Sequence, residues 1–253
     1  MTLTFTYMIP CYNSGSRLGR VFEKALQEGA REIKKLSPQS AVLVVNNSTP
    51  ADHGLTEQIA RDNGAEIISA PKISVGFARF AGLDHAFNNM NSKFVFIGDD
   101  DLHTPASGLE TLNSGLKEGA ALVIGCRGIT DLLTHPPLQL LFESALNSAA
   151  ALLTLRRCDL ISGSAAFSRI GWISFRPFVS ESLVRQMKTA IPFIVPVYDA
   201  LGLKISTKNV PGQYEGDYLR DSFNFGISKR RYQIIRGDFA DLLAGIKLAR
   251  MIY

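Results

Sequence analysis

Three runs of residues, AVLVV at Ala41–Val45, FVFI at Phe94–Ile97 and ALVIG at Ala121–Gly125, contain no polar side chain. A strand with one wet face alternates apolar and polar, so uninterrupted runs belong to strands covered on both faces. Thr4–Ile9, which stops at Pro10, and AEIISA at Ala65–Ala70 bring the strand-like segments of the first half to five. Helical spacing lies between them: Arg17–Leu36, Leu55–Asn63 before Gly64, and Gly76–Asn89 with Phe77, Phe80, Ala81, Leu83, Ala86 and Phe87 apolar. Such alternation predicts an α/β fold with a mostly parallel central sheet flanked by helices. In sheets of this kind ligands gather outside the carboxyl ends of the strands. The segments there read PCYNSGS, NNSTPAD, DDDLHTP and CRG, hold an unusual share of the polar residues of the first half, and are expected to converge on one face.

The second half is less regular. Leu138–Arg157 reads as a helix with Arg156 and Arg157 at its C-terminal end, where positive charge is favoured. Its greasiest part, Leu138–Leu155, carries Gln139, Glu143, Ser144, Asn147 and Ser148 and is too short and polar for a membrane span. Residues 159–216 mix short strands and turns. The tail from Ser228 sets Ile235, Phe239, Leu242, Leu243 and Ile246 against Arg231, Arg236, Asp241 and Lys247, an amphipathic basic helix or pair of helices with a break at Gly237. The expected division is 1–215 as the catalytic domain and 216–253 as a basic helical segment packed on that domain or on a membrane surface.

The 253 residues allow one large α/β domain or two small ones. A net charge of +4 is too mild to indicate a nucleic-acid partner, although a local basic patch can still meet phosphate. Three well-separated cysteines, Cys11, Cys126 and Cys158, form no disulfide framework and point to a reducing compartment. The first residues lack the basic region and long apolar run of a signal peptide. A cytoplasmic protein is the expectation.

Asp99, Asp100 and Asp101 stand side by side after an apolar strand, and their mutual repulsion needs an offset. Asp99 and Asp101, one residue apart on extended chain, point the same way. Two such carboxylates in a partly dry crevice suit a divalent cation that prefers oxygen, Mg2+ or Mn2+, and His103 as a nitrogen ligand tilts the choice towards Mn2+. A metal held this way with open positions also offsets charge on a departing diphosphate. The alternative is a solvated turn in which one Asp caps a helix starting near Pro105.

IPCYN (Ile9–Asn13), VVNNST (Val44–Thr49), GFARFAG (Gly76–Gly82) and DDDLHTP (Asp99–Pro105) occur in the order and spacing of the family 2 glycosyltransferases. The chain resembles that family, whose members have the GT-A fold and use nucleotide-sugar donors. VIGCRG (Val123–Gly128), DLISGSAAFSR (Asp159–Arg169) and GISK (Gly226–Lys229) resemble motifs of its polyprenyl-phosphate branch, the dolichyl-phosphate-mannose synthase group.

The resemblance implies a metal-dependent inverting glycosyltransferase whose preferred acceptor is a polyprenyl phosphate. It places Pro10, Tyr12, Asn13, Asn46, Arg79, Asp99 and Asp100 at the nucleotide of a GDP- or UDP-linked donor. Asp99, Asp101 and His103 would hold Mg2+ or Mn2+, Asp101 and Arg127 would serve catalysis, and Arg127, Ser228 and Lys229 would meet the acceptor phosphate. A lipid acceptor implies peripheral contact with the cytoplasmic membrane face, direct or through a membrane-anchoring partner, and a homo-oligomer is a further expectation.

Three departures bear on these assignments. Asn46 and Asn47 replace the acid that usually follows the second strand, which leaves the base open. Phe80 replaces the asparagine after Arg79, and the arginine expected in the helix after Arg127 has no counterpart. A surface salt bridge is the alternative for Arg79. A hydroxyl acceptor would need a general base, for which Glu181 and Asp199 are the candidates. The rival functions are transfer to a sugar or protein hydroxyl, and a non-catalytic nucleotide-sugar-binding protein. A nucleotidyltransferase is disfavoured because NSGSRLGR, after the first strand, is too weak a phosphate loop.

Overall fold

The computed structural model of the chain describes residues 4–100, 106–127, 137–154, 164–210 and 229–252. Among these residues seven strands form one sheet: β1 (Phe5–Cys11), β2 (Ser40–Asn46), β3 (Glu66–Ser69), β4 (Phe94–Ile97), β5 (Leu122–Arg127), β6 (Ala165–Ser168) and β7 (Ile205–Val210). Their order is β3-β2-β1-β4-β6-β5-β7. β6 runs antiparallel to both β4 and β5, and every other pairing is parallel. The carboxyl ends of the six parallel strands therefore share one edge, where the antiparallel β6 begins.

The helices are α1 (Ser14–Leu18), α2 (Arg20–Leu36), α3 (Pro50–Asp62), α4 (Val75–Asn88), α5 (Leu109–Lys117), α6 (Pro137–Thr154), α7 (Arg169–Phe175), α8 (Glu181–Gln186), α9 (Ile191–Ala200) and α10 (Lys229–Ile252). They form two layers. Phe5, Tyr7 and Ile9 of β1 face α2 and α5, where Phe22, Leu26, Ile33, Leu109, Leu112 and Leu116 are buried. Met8 faces the other way, into a core shared with Phe80 and Phe87 of α4, Trp172 and Phe175 of α7, and Phe193 of α9. Strands covered on both faces are the reason the runs are apolar at every position. The Phe80 ring centre lies 4.7 Å from that of Trp172, tilted by 57°, so the aromatic side chain beside Arg79 serves the core.

Three boundaries differ from the sequence reading. The segment 17–36 is two helices, because Gly19 at φ 49° departs from helical geometry between α1 and α2. α3 begins at Pro50, whose fixed φ and missing N–H suit a first helical position. α10 runs unbroken through Gly237, because that glycine serves close approach rather than a break: a Cβ there would lie 2.7 Å from Lys188 Cβ.

Gly245 plays the same part against α9, where an added Cβ would lie 2.3 Å from the main-chain oxygen of Phe193. Gly245→Ala gains about 1 kcal/mol in helix propensity. The forced separation of two packed backbones costs about 1–3 kcal/mol and should win. A lower urea midpoint with an unchanged slope is the expected result, and a higher midpoint would contradict this packing argument.

Candidate functional site

Short contacts tie the carboxyl ends of β1, β2 and β4 together. The N–H of Asn47 donates to the carbonyl of Cys11 at 3.0 Å. Asn13 adopts φ 52°, a left-handed conformation that asparagine tolerates better than most residues. Its N–H donates to Ser48 Oγ at 2.8 Å, and its Oδ1 accepts from Thr49 N at 2.9 Å and Thr49 Oγ1 at 3.1 Å. Asn46 is fully buried, donating from Nδ2 to the His53 carbonyl and accepting from Ser48 N at Oδ1, both at 3.1 Å. Its amide braces the β2–α3 turn. Pro10 is buried within β1, whereas Tyr12 is 39% exposed, with Lys72 Nζ 5.0 Å from its ring centre. Cys11 is buried, and burial first of all raises its thiol well above the ordinary range, which makes it an inert packing group.

The neighbouring carboxylates after β4 part company. Asp100 turns inward, where its Oδ2 accepts from the Ser14 hydroxyl and from Arg17 Nη2 at 2.8 Å. Burial holds its carboxyl above the usual range, against the opposing pull of Arg17 and Ser14. Asp99 keeps 23% of its side chain exposed against 11% for Asp100, and it lies 3.7 Å from Arg79 Nη2. The chain turns at Asp100 just after β4, which carries the two side chains apart.

Arg79 is buried in α4 rather than bridging on the surface. Its Nη1 donates to the Thr189 carbonyl at 3.0 Å, and its Nε has no hydrogen-bond partner. A buried guanidinium whose Nη2 lies beside a partly exposed carboxylate is a fixed positive centre next to the crevice.

Among the described residues no three His, Cys, Asp or Glu side chains gather as a metal cluster. Asp99 fits as one hard oxygen donor to Mg2+ or Mn2+, ions that keep several waters and take further oxygens from phosphate. Asp100, held by Ser14 and Arg17, does not share that role. Asp101, His103 and Ser228 lie outside the described residues, as do the side chains of Arg127 and Lys229. The main chain of Arg127 closes β5 at the shared edge, and Lys229 opens α10. Glu181 is exposed in the first turn of α8, and Asp199 is half-buried in the last turn of α9.

Sequence reasoning did not find Ser14 and Arg17 as the partners of Asp100, nor Thr189 as the partner of Arg79. The first pair sat in view within NSGSRLGR, read only as a weak phosphate loop. Thr189 carried no signal.

The model of the family described as glycosyl transferase family 2 matches residues 6–155. Protein RfbJ of Shigella flexneri is 28% identical over 122 residues, which cover 47% of this chain and 82% of that protein. Mannosyl-3-phosphoglycerate synthase from Rubrobacter xylanophilus superposes with a TM-score of 0.60 at 16% identity, over 95% of this chain and 74% of that one. The inositol-1-phosphate CTP transferase from T. maritima superposes with a TM-score of 0.51 at 12% identity, over 93% and 96% of the two chains. These two likenesses concern the fold, which is that of the GT-A nucleotide-sugar transferases.

Proposed function

Because this chain belongs to glycosyl transferase family 2 and is a glycosyltransferase using nucleotide-sugar donors, we propose that it transfers sugar with inversion, with help from a divalent metal, to a polyprenyl phosphate. The observation that carries the reading is the pairing of partly exposed Asp99 with buried Arg79 at the edge where the β1, β2 and β4 loops meet. Tyr12 offers a face for the donor's base, and the Asn13–Thr49 contacts hold the loop that presents it.

In the reaction, the bond between the anomeric carbon and the diphosphate oxygen breaks, and its electron pair leaves with the diphosphate. Arg79, held by the Thr189 carbonyl with its Nη2 beside Asp99, would set a fixed positive charge near that growing negative charge. Asp99, with Asp101 and His103, would hold the metal, which would supply Lewis-acid stabilisation of the same leaving group. The acceptor oxygen forms the new bond from the opposite face of the sugar. The attacking oxygen of a phosphate acceptor is already anionic at neutral pH, so this reading assigns no general base. Arg127, Ser228 and Lys229 are assigned to that phosphate.

Support for a lipid acceptor comes from α6 and α10, which pack on one another. Among described residues no helix is long and apolar enough to cross a membrane. Yet Leu141 and Leu152 of α6 and Leu243 and Met251 of α10 are exposed, and Arg236, Lys247 and Arg250 share the outer side of α10 with its two apolar residues. Apolar and basic side chains on one stripe suit the surface of an anionic bilayer.

Thermal denaturation in the presence of UDP, GDP, CDP or ADP, with and without Mn2+, tests the donor site. One nucleotide should raise the midpoint by several degrees, and more with metal, because a ligand of the folded state alone adds stability. No shift with any of them would sink the donor-site reading. Turnover with a polyprenyl phosphate while free sugars stay inert would then support the acceptor class, and the reverse pattern would favour a hydroxyl acceptor.

A further inference from the structure

α10 reaches the site through a single turn. Asp241 and Asp238 are buried on its inner face. Asp241 Oδ2 accepts from the N–H groups of Lys188 at 3.0 Å, Thr189 at 2.8 Å and Ala190 at 3.0 Å, and from Thr189 Oγ1 at 3.2 Å. The one proton of Thr189 Oγ1 is shared between Asp241 Oδ2 and the nearer Asp238 Oδ1 at 2.5 Å. Three consecutive N–H groups converge on one oxygen because Ala190 adopts φ 80°, which folds the turn into a concave donor nest. The helix comes close enough because Gly237 and Gly245, four residues to either side of Asp241, present no Cβ to Lys188 and Phe193.

The far side of the same turn is the scaffold of Arg79. The Thr189 carbonyl accepts from Arg79 Nη1 at 3.0 Å, and the Lys188 carbonyl accepts from Gly76 N at 2.8 Å. The Met187 carbonyl accepts from the Ser74 hydroxyl at the cap of α4. A Cβ on Gly76 would lie 2.8 Å from both Lys188 C and Thr189 N, so turn and helix start cannot slide past each other. An unbroken path of contacts therefore runs from Asp241 through the 187–190 turn to Arg79 and Asp99.

We propose that Asp241 is a positioning residue: by clamping the 187–190 turn it sets the guanidinium of Arg79 for the donor diphosphate. The inference rests on the proposed donor site. α10 is then a working part of the nucleotide site as well as the bearer of the outer stripe. A misplacement of the guanidinium by about 1 Å is enough to cost ten- to a hundred-fold in its contribution.

The test is a double-mutant cycle on the full chain, read by calorimetric affinity for the nucleoside diphosphate that most stabilises the wild type. Asp241→Asn removes the charge, keeps the shape and turns an N–H donor of its own towards the nest. It should weaken binding about ten-fold at a temperature where circular dichroism shows it folded, and have little effect when Arg79 is already Ala. Equal weakening in both backgrounds, or unchanged affinity in the folded single variant, overturns the proposal. A purely structural role would lower the melting temperature without that dependence on Arg79. Should Asp241→Asn not fold, Asp238→Asn carries the same cycle through its tie to Thr189, and the same two outcomes decide. A wild-type chain that binds no nucleoside diphosphate sinks the donor-site reading itself, and the positioning claim with it.

Discussion

Asp99→Asn is expected to lower kcat/KM for sugar transfer by about two to three orders of magnitude, the range seen when one preorganised charge-stabilising group is removed. Its melting temperature in metal-free buffer should fall modestly, because buried Arg79 loses the carboxylate 3.7 Å away but keeps its bond to the Thr189 carbonyl. The Mn2+ concentration needed for half-maximal turnover should rise as well. Asp100→Asn gives the contrast. That residue is spent on Ser14 and Arg17, so its replacement should disturb the β1–α1 loop more than the metal response. Kinetics and thermal melts of the two variants side by side decide the matter. Full activity in Asp99→Asn would remove this carboxylate from the chemistry.

The contrast shows where sequence reasoning reached and where it stopped. Three adjacent aspartates look alike on paper, and only the placement of the chain after β4 sends one towards solvent and its neighbour to Arg17. The sheet was legible because burial on two faces leaves a mark at every strand position, as in AVLVV. β6 was not, since AAFS is only four residues, half of them alanine, too short for a period to separate a strand from a helix start. Phe80 was read as a helix-packing residue from its spacing, and its contact with Trp172 fits. Gly237 was misread because a glycine in a helix looks the same whether it breaks the helix or admits a neighbour. The Asp241–Thr189 contact spans 52 residues of chain, and no local pattern announces such a pairing.

Asp52→Ala should lower stability at neutral pH by about 3 kcal/mol or more, the loss of two hydrogen bonds to an ionised acceptor. The residue lies in the first turn of α3, yet it anchors α1. Its Oδ1 accepts from Ser16 N and its Oδ2 from Thr56 Oγ1, both at 2.6 Å, while Thr56 Oγ1 accepts from Gly15 N at 2.9 Å. Buried hydrogen bonds to an ionised acceptor contribute about 1.5–3 kcal/mol each, and their loss here leaves donors at the start of α1 without partners. The pH dependence carries the signature. Burial alone would raise the Asp52 carboxyl, but the hydrogen bonds from Ser16 and Thr56 outweigh it and hold the group below its ordinary 3.8. A carboxyl depressed in the folded state stabilises fully above its unfolded value, and that contribution is lost as pH falls through the folded value. The gap between wild type and Asp52→Ala in urea denaturation should therefore stay constant from pH 8 down to about pH 5 and shrink below about pH 4. A gap that held or widened in acid would show that Asp52 acts through its shape rather than its charge. The same loss should loosen α1, which carries Ser14 and Arg17 to Asp100, so nucleotide affinity should fall in parallel with stability.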